Sequence, residues 1–189
     1  MSDASSLAKV LPSLALSEID ALSPPESASE QFLRFHLAPD TTALLPVQQL
    51  TEVLTISSSQ IVPIFNMPTW VMGVYNWRGE ILWIVDLGHR IGLAPILEQA
   101  ANRSTHTAIV LHVHPTRKAQ NPAKRHALGL IVNRVEDIEW CNPDLIQSPP
   151  TSAIVPEIVP FLRGYWVKDN GDMLAVLDGT AILASMPRG

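Results

Sequence analysis

From Gln31 onward the chain alternates short runs of β-forming residues with turn residues, at intervals of about ten, the pattern of an all-β protein. The runs predict strands over Phe32 to Leu37, Ala43 to Val47, Val53 to Ile56, Val71 to Tyr75 and Ile81 to Val85. A second set spans Thr107 to Val113, Leu128 to Val132, Ile138 to Trp140, Gly164 to Val167 and Met173 to Leu177. Two groups of about five strands imply two similar lobes, with at most a few short helices between strands. Residues 1 to 30 are different in kind: Ser, Ala and Pro dominate, and SPPESASE at 23 to 30 breaks any regular element. They predict a flexible tail, in which Leu7, Leu11 and Leu14 would share one face of a docking helix.

The two sets of strands resemble each other. VQQLTEV at 47 to 53 matches VNRVEDI at 132 to 138, and GEILWIVD at 79 to 86 matches GDMLAVLD at 171 to 178, with Gly73 falling opposite Gly164. Both matches occur in the same order, so the chain reads as two copies of one β-unit. Two such units packed together enclose a groove. The expected division is a first unit over about 31–100 and a second over about 101–189.

The repeat isolates one feature. The hairpin VMGVYNWRGEILWIVDL closes on Trp77, Arg78 and Gly79, whereas its second copy closes on Lys168, Asp169, Asn170 and Gly171, where Asn and Gly accept positive φ without cost. The hairpin therefore requires a glycine and requires neither Trp77 nor Arg78. A guanidinium between two apolar strands cannot be buried unpaired. Glu80 and Glu52 are its candidate partners. Trp and Arg are the side chains most enriched among interface hot spots, so the surplus pair is read as a presented contact.

Composition narrows the function. The 189 residues hold one domain or two small lobes. Hydrophobic residues make up 47% and charged ones 16%, a surface suited to work in contact with other proteins. A net charge of −5 with 13 Lys and Arg argues against a general nucleic-acid binder, which needs a concentrated basic face. The cluster Arg117, Lys118, Lys124 and Arg125 reads as a solvated loop. Five tryptophans keep one competing reading open: a small β-barrel that binds a ligand or single-stranded nucleic acid by stacking. No run reaches the ~18 apolar residues of a membrane span, and no signal-peptide pattern opens the chain, which predicts a cytoplasmic protein.

Candidate chemistry is sparse. The single cysteine, Cys141, excludes an intrachain disulfide and reads as a small buried residue beside Trp140. His112 and His114 share one face of a strand at the spacing of a metal pair, but no third ligand accompanies them, and they read as solvent-facing. Asp86 and Asp178 occupy equivalent strand ends, where an aspartate satisfies the free N–H groups of the next turn. No glycine-rich phosphate loop, nucleophile elbow or Cys/His dyad is present. The reading is of a protein that is not an enzyme and carries no cofactor or metal.

Five segments together, FLRFHLAP, LLPVQQLTEVL, GVYNWRGEILWIVDL, ALGLIVNRVEDI and LRGYW with its VLD strand, resemble the CheW-like domain of bacterial chemotaxis signalling over roughly residues 30 to 185. The resemblance implies two SH3-like five-stranded β-barrels with a hydrophobic groove between them. It also implies an adaptor without catalysis, coupling methyl-accepting receptors to a CheA-type histidine kinase in chemotaxis, phototaxis or motility. The kinase regulatory domain would pack on barrel ends in ring-like arrays, and the receptor signalling tip would lie in the groove. Position by position, Arg78 corresponds to the family's exposed motif arginine, Asn76 to the motif asparagine, and Gly73 and Gly79 to the motif glycines. Leu50 and Glu52 fall where the first barrel presents an edge, and Ile131, Val132 and Val135 where the second faces the groove. Trp77 stands where the family usually has leucine, Trp83 interrupts a strand that often has a smaller residue, and the loop from Pro115 to Arg125 is longer than usual.

Overall fold

The computed structural model describes residues 29–37, 39–99, 103–112, 127–148 and 155–187. Residues 1–28 of the expected tail, His114 and the basic cluster at 117–125 lie outside the described residues, while Glu30, expected in the tail, is the first residue of a strand. Ten strands form among those described, one at each place where the alternating pattern predicts it. They are β1 (Glu30–Leu37), β2 (Thr41–Pro46), β3 (Leu50–Ser57), β4 (Val71–Trp77), β5 (Glu80–Asp86), β6 (Thr105–His112), β7 (Ala127–Val132), β8 (Arg134–Cys141), β9 (Leu162–Val167) and β10 (Met173–Leu177). Three short helices accompany them: α1 (Leu87–Arg90), α2 (Ile96–Gln99) and α3 (Gly179–Ala184).

The strands form two five-stranded sheets, ordered β8-β1-β2-β10-β9 and β3-β6-β7-β5-β4. The orders are the same when β8, β9, β10, β1 and β2 are set against β3, β4, β5, β6 and β7. Pairing directions agree as well: β2 runs parallel to β10 as β7 does to β5, and the other pairs are antiparallel. The repeat is real, but its division corrects the one expected from sequence. The first unit is the continuous run β3 to β7. The second is circularly permuted, its last two strands being the N-terminal hairpin β1–β2. A split near residue 100 cuts the first unit and separates β1 and β2 from the strands they pair with. The cause is non-local, since β2 is seated by its parallel pairing of Ala43 and Leu44 with Ala175 and Val176, far along the chain.

Glycine is needed at the same place in both units. Gly73 and Gly164 follow a bulge in β4 and β9, at φ +144° and +156°. A Cβ at either would collide with a carbonyl oxygen, that of Val62 or of Gln147, because the connector folds back there to bridge Val74 and Tyr165 respectively. Each unit's last hairpin strand then ends in a capping aspartate. Asp86 accepts from the N–H groups of His89 (3.0 Å) and Ile96 (2.7 Å), and Asp178 from that of Thr180 (2.8 Å), the structural role expected of both.

Side chains alternate between two destinations. One face of each sheet fills its own unit: Ile56, Leu82, Ile84, Val110 and Ile131 in the first, Phe32, Leu44, Leu174 and Val176 in the second. The other face joins a larger core shared by both units, with Leu33, Phe35 and Leu37 of β1 meeting Leu111, Leu130 and Val132. Each such side chain, fully buried, contributes about 1.5–3 kcal/mol relative to exposure. The units are thus held together by a continuous core. Gln49 adds a polar tie, its side-chain oxygen accepting from the N–H of Gly179 at 2.9 Å.

Candidate functional site

The β4–β5 hairpin closes in a two-residue turn. Trp77 pairs with Glu80, and both central residues have positive φ, +54° for Arg78 and +82° for Gly79, as a type I′ turn requires. Asn76 fastens the turn by accepting from the N–H of Gly79 at 3.0 Å. The second copy is built differently. Its turn spans Asp169, Asn170 and Gly171, and only Gly171 (φ +88°) takes the left-handed conformation. Arg78 therefore occupies a position that favours Asn or Gly and is strained for a residue of its shape.

Glu52 is the partner of both surplus residues. Its Oε1 accepts from the indole Nε1 of Trp77 at 2.7 Å and meets Arg78 Nη2 at 2.9 Å, while the guanidinium lies 5.4 Å from the Trp77 ring centroid. Glu80, the other candidate, is exposed across the turn. β3 and β4 are the two ends of the sheet order, so this cluster ties the open ends of the first unit together. The second unit has the same tie in other chemistry: Lys168, just after β9, reaches Glu139 of β8 at 2.9 Å. Trp77 is thus a closing residue that also packs against the first unit's interior. Arg78 is the addition, with 69% of its side chain exposed.

The remaining candidates separate by burial. Leu50 of β3 and Val135 of β8 are repeat equivalents, both half-buried against the shared core. Val53 and Ile138, equivalents three residues on, are about half exposed, at 44% and 50%. These two end strands present matching apolar positions. Gly73 is buried and serves the backbone approach of Val62. Ile131 and Val132 do not face a groove: both are fully buried, Ile131 inside the first unit and Val132 in the shared core. They belong to β7, whose alternation sends one side chain into each core, leaving neither for a partner. Ile81 was not singled out by sequence. It pairs with Asn76 and is 72% exposed, hidden within an apolar run whose inward members are Leu82 and Ile84.

Two further titratable groups among the described residues are buried. Burial pushes the Cys141 thiol up to about 11, so it stays protonated at neutral pH. His106 is buried on β6, its Nε2 3.0 Å from Ser58 Oγ, and burial holds its pKa below the ordinary value. No group of three or more His, Cys, Asp or Glu suited to a metal occurs among the described residues. Of the five tryptophans only Trp140 is more than half exposed, so no row of stacking platforms is formed. No described helix is long and apolar enough to cross a membrane.

Comparison with known proteins agrees with the geometry. A family model described as a CheW-like domain matches residues 31–186. A probable chemotaxis protein CheW of Rhizobium etli is 34% identical over 85 residues, 45% of this chain and just under half (46%) of that relative. A chemotaxis protein CheW of Rhizobium meliloti is 30% identical over 126 residues, 67% of this chain and 71% of that one. Among solved structures, the scaffolding protein TtCheW of Thermoanaerobacter tengcongensis superposes with a TM-score of 0.61 at 21% identity, covering 79% of this chain and 89% of that one. Its fold is that of two SH3-like subdomains.

Proposed function

Because this chain belongs to the CheW-like domain family, we propose that it is a non-catalytic adaptor that couples a methyl-accepting receptor to a CheA-type histidine kinase. The reading places it in the cytoplasm, brought to the membrane by receptor complexes and able to join ring-like arrays with the kinase. The observation that carries it is the Glu52–Trp77–Arg78 cluster. An exposed guanidinium is held at a fixed position on the rim of the first unit, on a backbone conformation that a fold alone would assign to Asn or Gly. Asn76, Gly79 and the exposed Ile81 surround it, giving a small patch of the mixed polar and apolar kind that hot spots use. The half-exposed edges of β3 and β8, with Leu50, Val53, Val135 and Ile138, supply a second surface between the units for a helical receptor tip.

The test is binding of the kinase regulatory domain and of a receptor signalling hairpin to Arg78→Ala and Arg78→Glu. A hot-spot arginine contributes about 2 kcal/mol, so affinity for at least one partner should fall roughly thirtyfold. The melting temperature should stay within a few degrees of wild type, since the tie from Trp77 to Glu52 remains. Normal binding of both partners by both variants would sink the reading of Arg78 as a presented contact.

A further inference from the structure

Arg90, the last residue of α1, lies with its guanidinium carbon 4.8 Å from the ring centroid of Trp70 and 4.7 Å from that of Phe161. The two rings are equivalents in the repeat. Each residue's carbonyl accepts from the N–H of its unit's capping aspartate, Trp70 from Asp86 at 2.9 Å and Phe161 from Asp178 at 2.8 Å. The chain thus sets one cation against matching aromatics of the two units. The second copy again serves as a control. The fourth residue after Asp86 is Arg90, and the fourth after Asp178 is Ile182, buried in the shared core. An aliphatic side chain satisfies the fold at this place.

The guanidinium is also unused. Arg34, Arg78, Arg134, Arg163 and Lys168 each meet a glutamate. Arg90 has no ion pair and no hydrogen bond among the described residues, and its buried Nε is without a partner. A guanidinium has five donors in a planar fork, and with its carbon held against two rings its remaining use is to offer those donors to an acceptor. Stacking also fixes the side chain in advance, so little freedom is lost when an anion binds.

We propose that Arg90 is a carboxylate-recognition residue, its fork receiving an Asp or Glu side chain of a partner protein. A planar, bidentate donor matches a carboxylate. The chain's net charge of −5 works against capture of a free anion, whereas an acidic residue carried on a docked partner arrives despite it. Trp70 is half-buried, and Val159, two residues before Phe161, is 50% exposed, so a covering partner would bury apolar surface around the pair. The choice of a protein partner rests on the adaptor reading; the oxyanion chemistry does not.

Calorimetry with the kinase regulatory domain and with a receptor signalling hairpin compares the full wild-type chain with Arg90→Gln and Arg90→Lys. At least one complex should weaken tenfold or more in both variants, because lysine keeps the charge and lacks the fork. Unchanged affinity of Arg90→Gln for both partners overturns the proposal. A second measurement stands apart from the adaptor reading: the Nε–Hε resonance of Arg90 is followed by NMR while sodium acetate, sodium phosphate or sodium chloride is added to the full chain. A saturable shift with acetate, absent with chloride, supports the site, and no shift refutes it. Saturation by phosphate at lower concentration than by acetate would assign the site to a free oxyanion and overturn the partner carboxylate. If the wild-type chain binds neither protein, the adaptor reading fails by itself, and the acetate titration still decides Arg90.

Discussion

Arg78 shows what one residue adds to a fold that does not need it. Its φ of +54° is tolerated by Asn and Gly and costs most other residues about 1–2 kcal/mol. Its exposed pair with Glu52 returns only about 0–1 kcal/mol. Arg78→Asn should therefore leave stability equal or raise it by up to about 1 kcal/mol in urea unfolding, while partner affinity falls as for Arg78→Ala. A loss of more than about 1 kcal/mol would mean that the arginine belongs to the fold. Sequence comparison of the two copies exposed Arg78 as surplus but could not show its backbone angle, nor choose Glu52 over Glu80. His106 carries a second expectation at this scale. Its folded pKa lies below 6.5, so the unfolded chain takes up the proton first, and stability present above pH 6.5 is lost as pH falls toward the folded value. Thermal melts from pH 7.5 to 5 should show this loss, and His106→Gln, which keeps a partner for Ser58, should flatten it.

At the scale of elements, the two units close their sheets with different chemistry. The first uses an indole, a carboxylate and an apolar interior. The second uses the pair of Lys168 with Glu139, and a charge network along the neighbouring strands β1 and β8 adjoins it: Glu136 meets Arg34, His36 and Arg134, and Glu139 meets Arg34 as well as Lys168, at 2.5–2.9 Å. Hydrogen bonding from His36 is the main cause that holds the Glu136 carboxyl below its ordinary pKa of 4.5. Its contribution is then complete above that value and is lost as pH falls through the lower, folded one. Between pH 5 and 2.5 the wild-type chain should lose stability more steeply than Glu136→Gln, and equal slopes would show that the network is without effect. Strand positions were legible because a run of β-forming residues bounded by turn residues marks each of the ten. The facing of β7 was not, since an unbroken apolar run such as LGLIV hides which residues enter which core, and this misled the placement of Ile131 and Val132.

At the scale of the whole molecule, the repeat was legible and its partition was not. Sequence identity marks which segments correspond, whereas sheet membership is decided by pairing between distant strands, and the parallel pair β2–β10 joins residues more than a hundred positions apart. The N-terminal hairpin is consequently the last piece of the C-terminal unit, and the chain crosses from one unit to the other twice. This has a direct test. A circular permutant that begins at Val47, runs to Pro187 and continues through a flexible linker into residues 29–46 would make each unit continuous, in the order β3 to β7, then β8, β9, β10, β1 and β2. It should fold to the same two sheets, with a native circular dichroism spectrum and one cooperative transition, because the shared core of Leu33, Phe35, Leu111 and Val132 is assembled from the same strands. Deleting residues 29–46 outright should instead leave β8 without its neighbour and β10 without its parallel partner, giving an unfolded or aggregating chain. A deletion variant that melted like the wild type would show that the hairpin is an appendage and the permuted topology wrong.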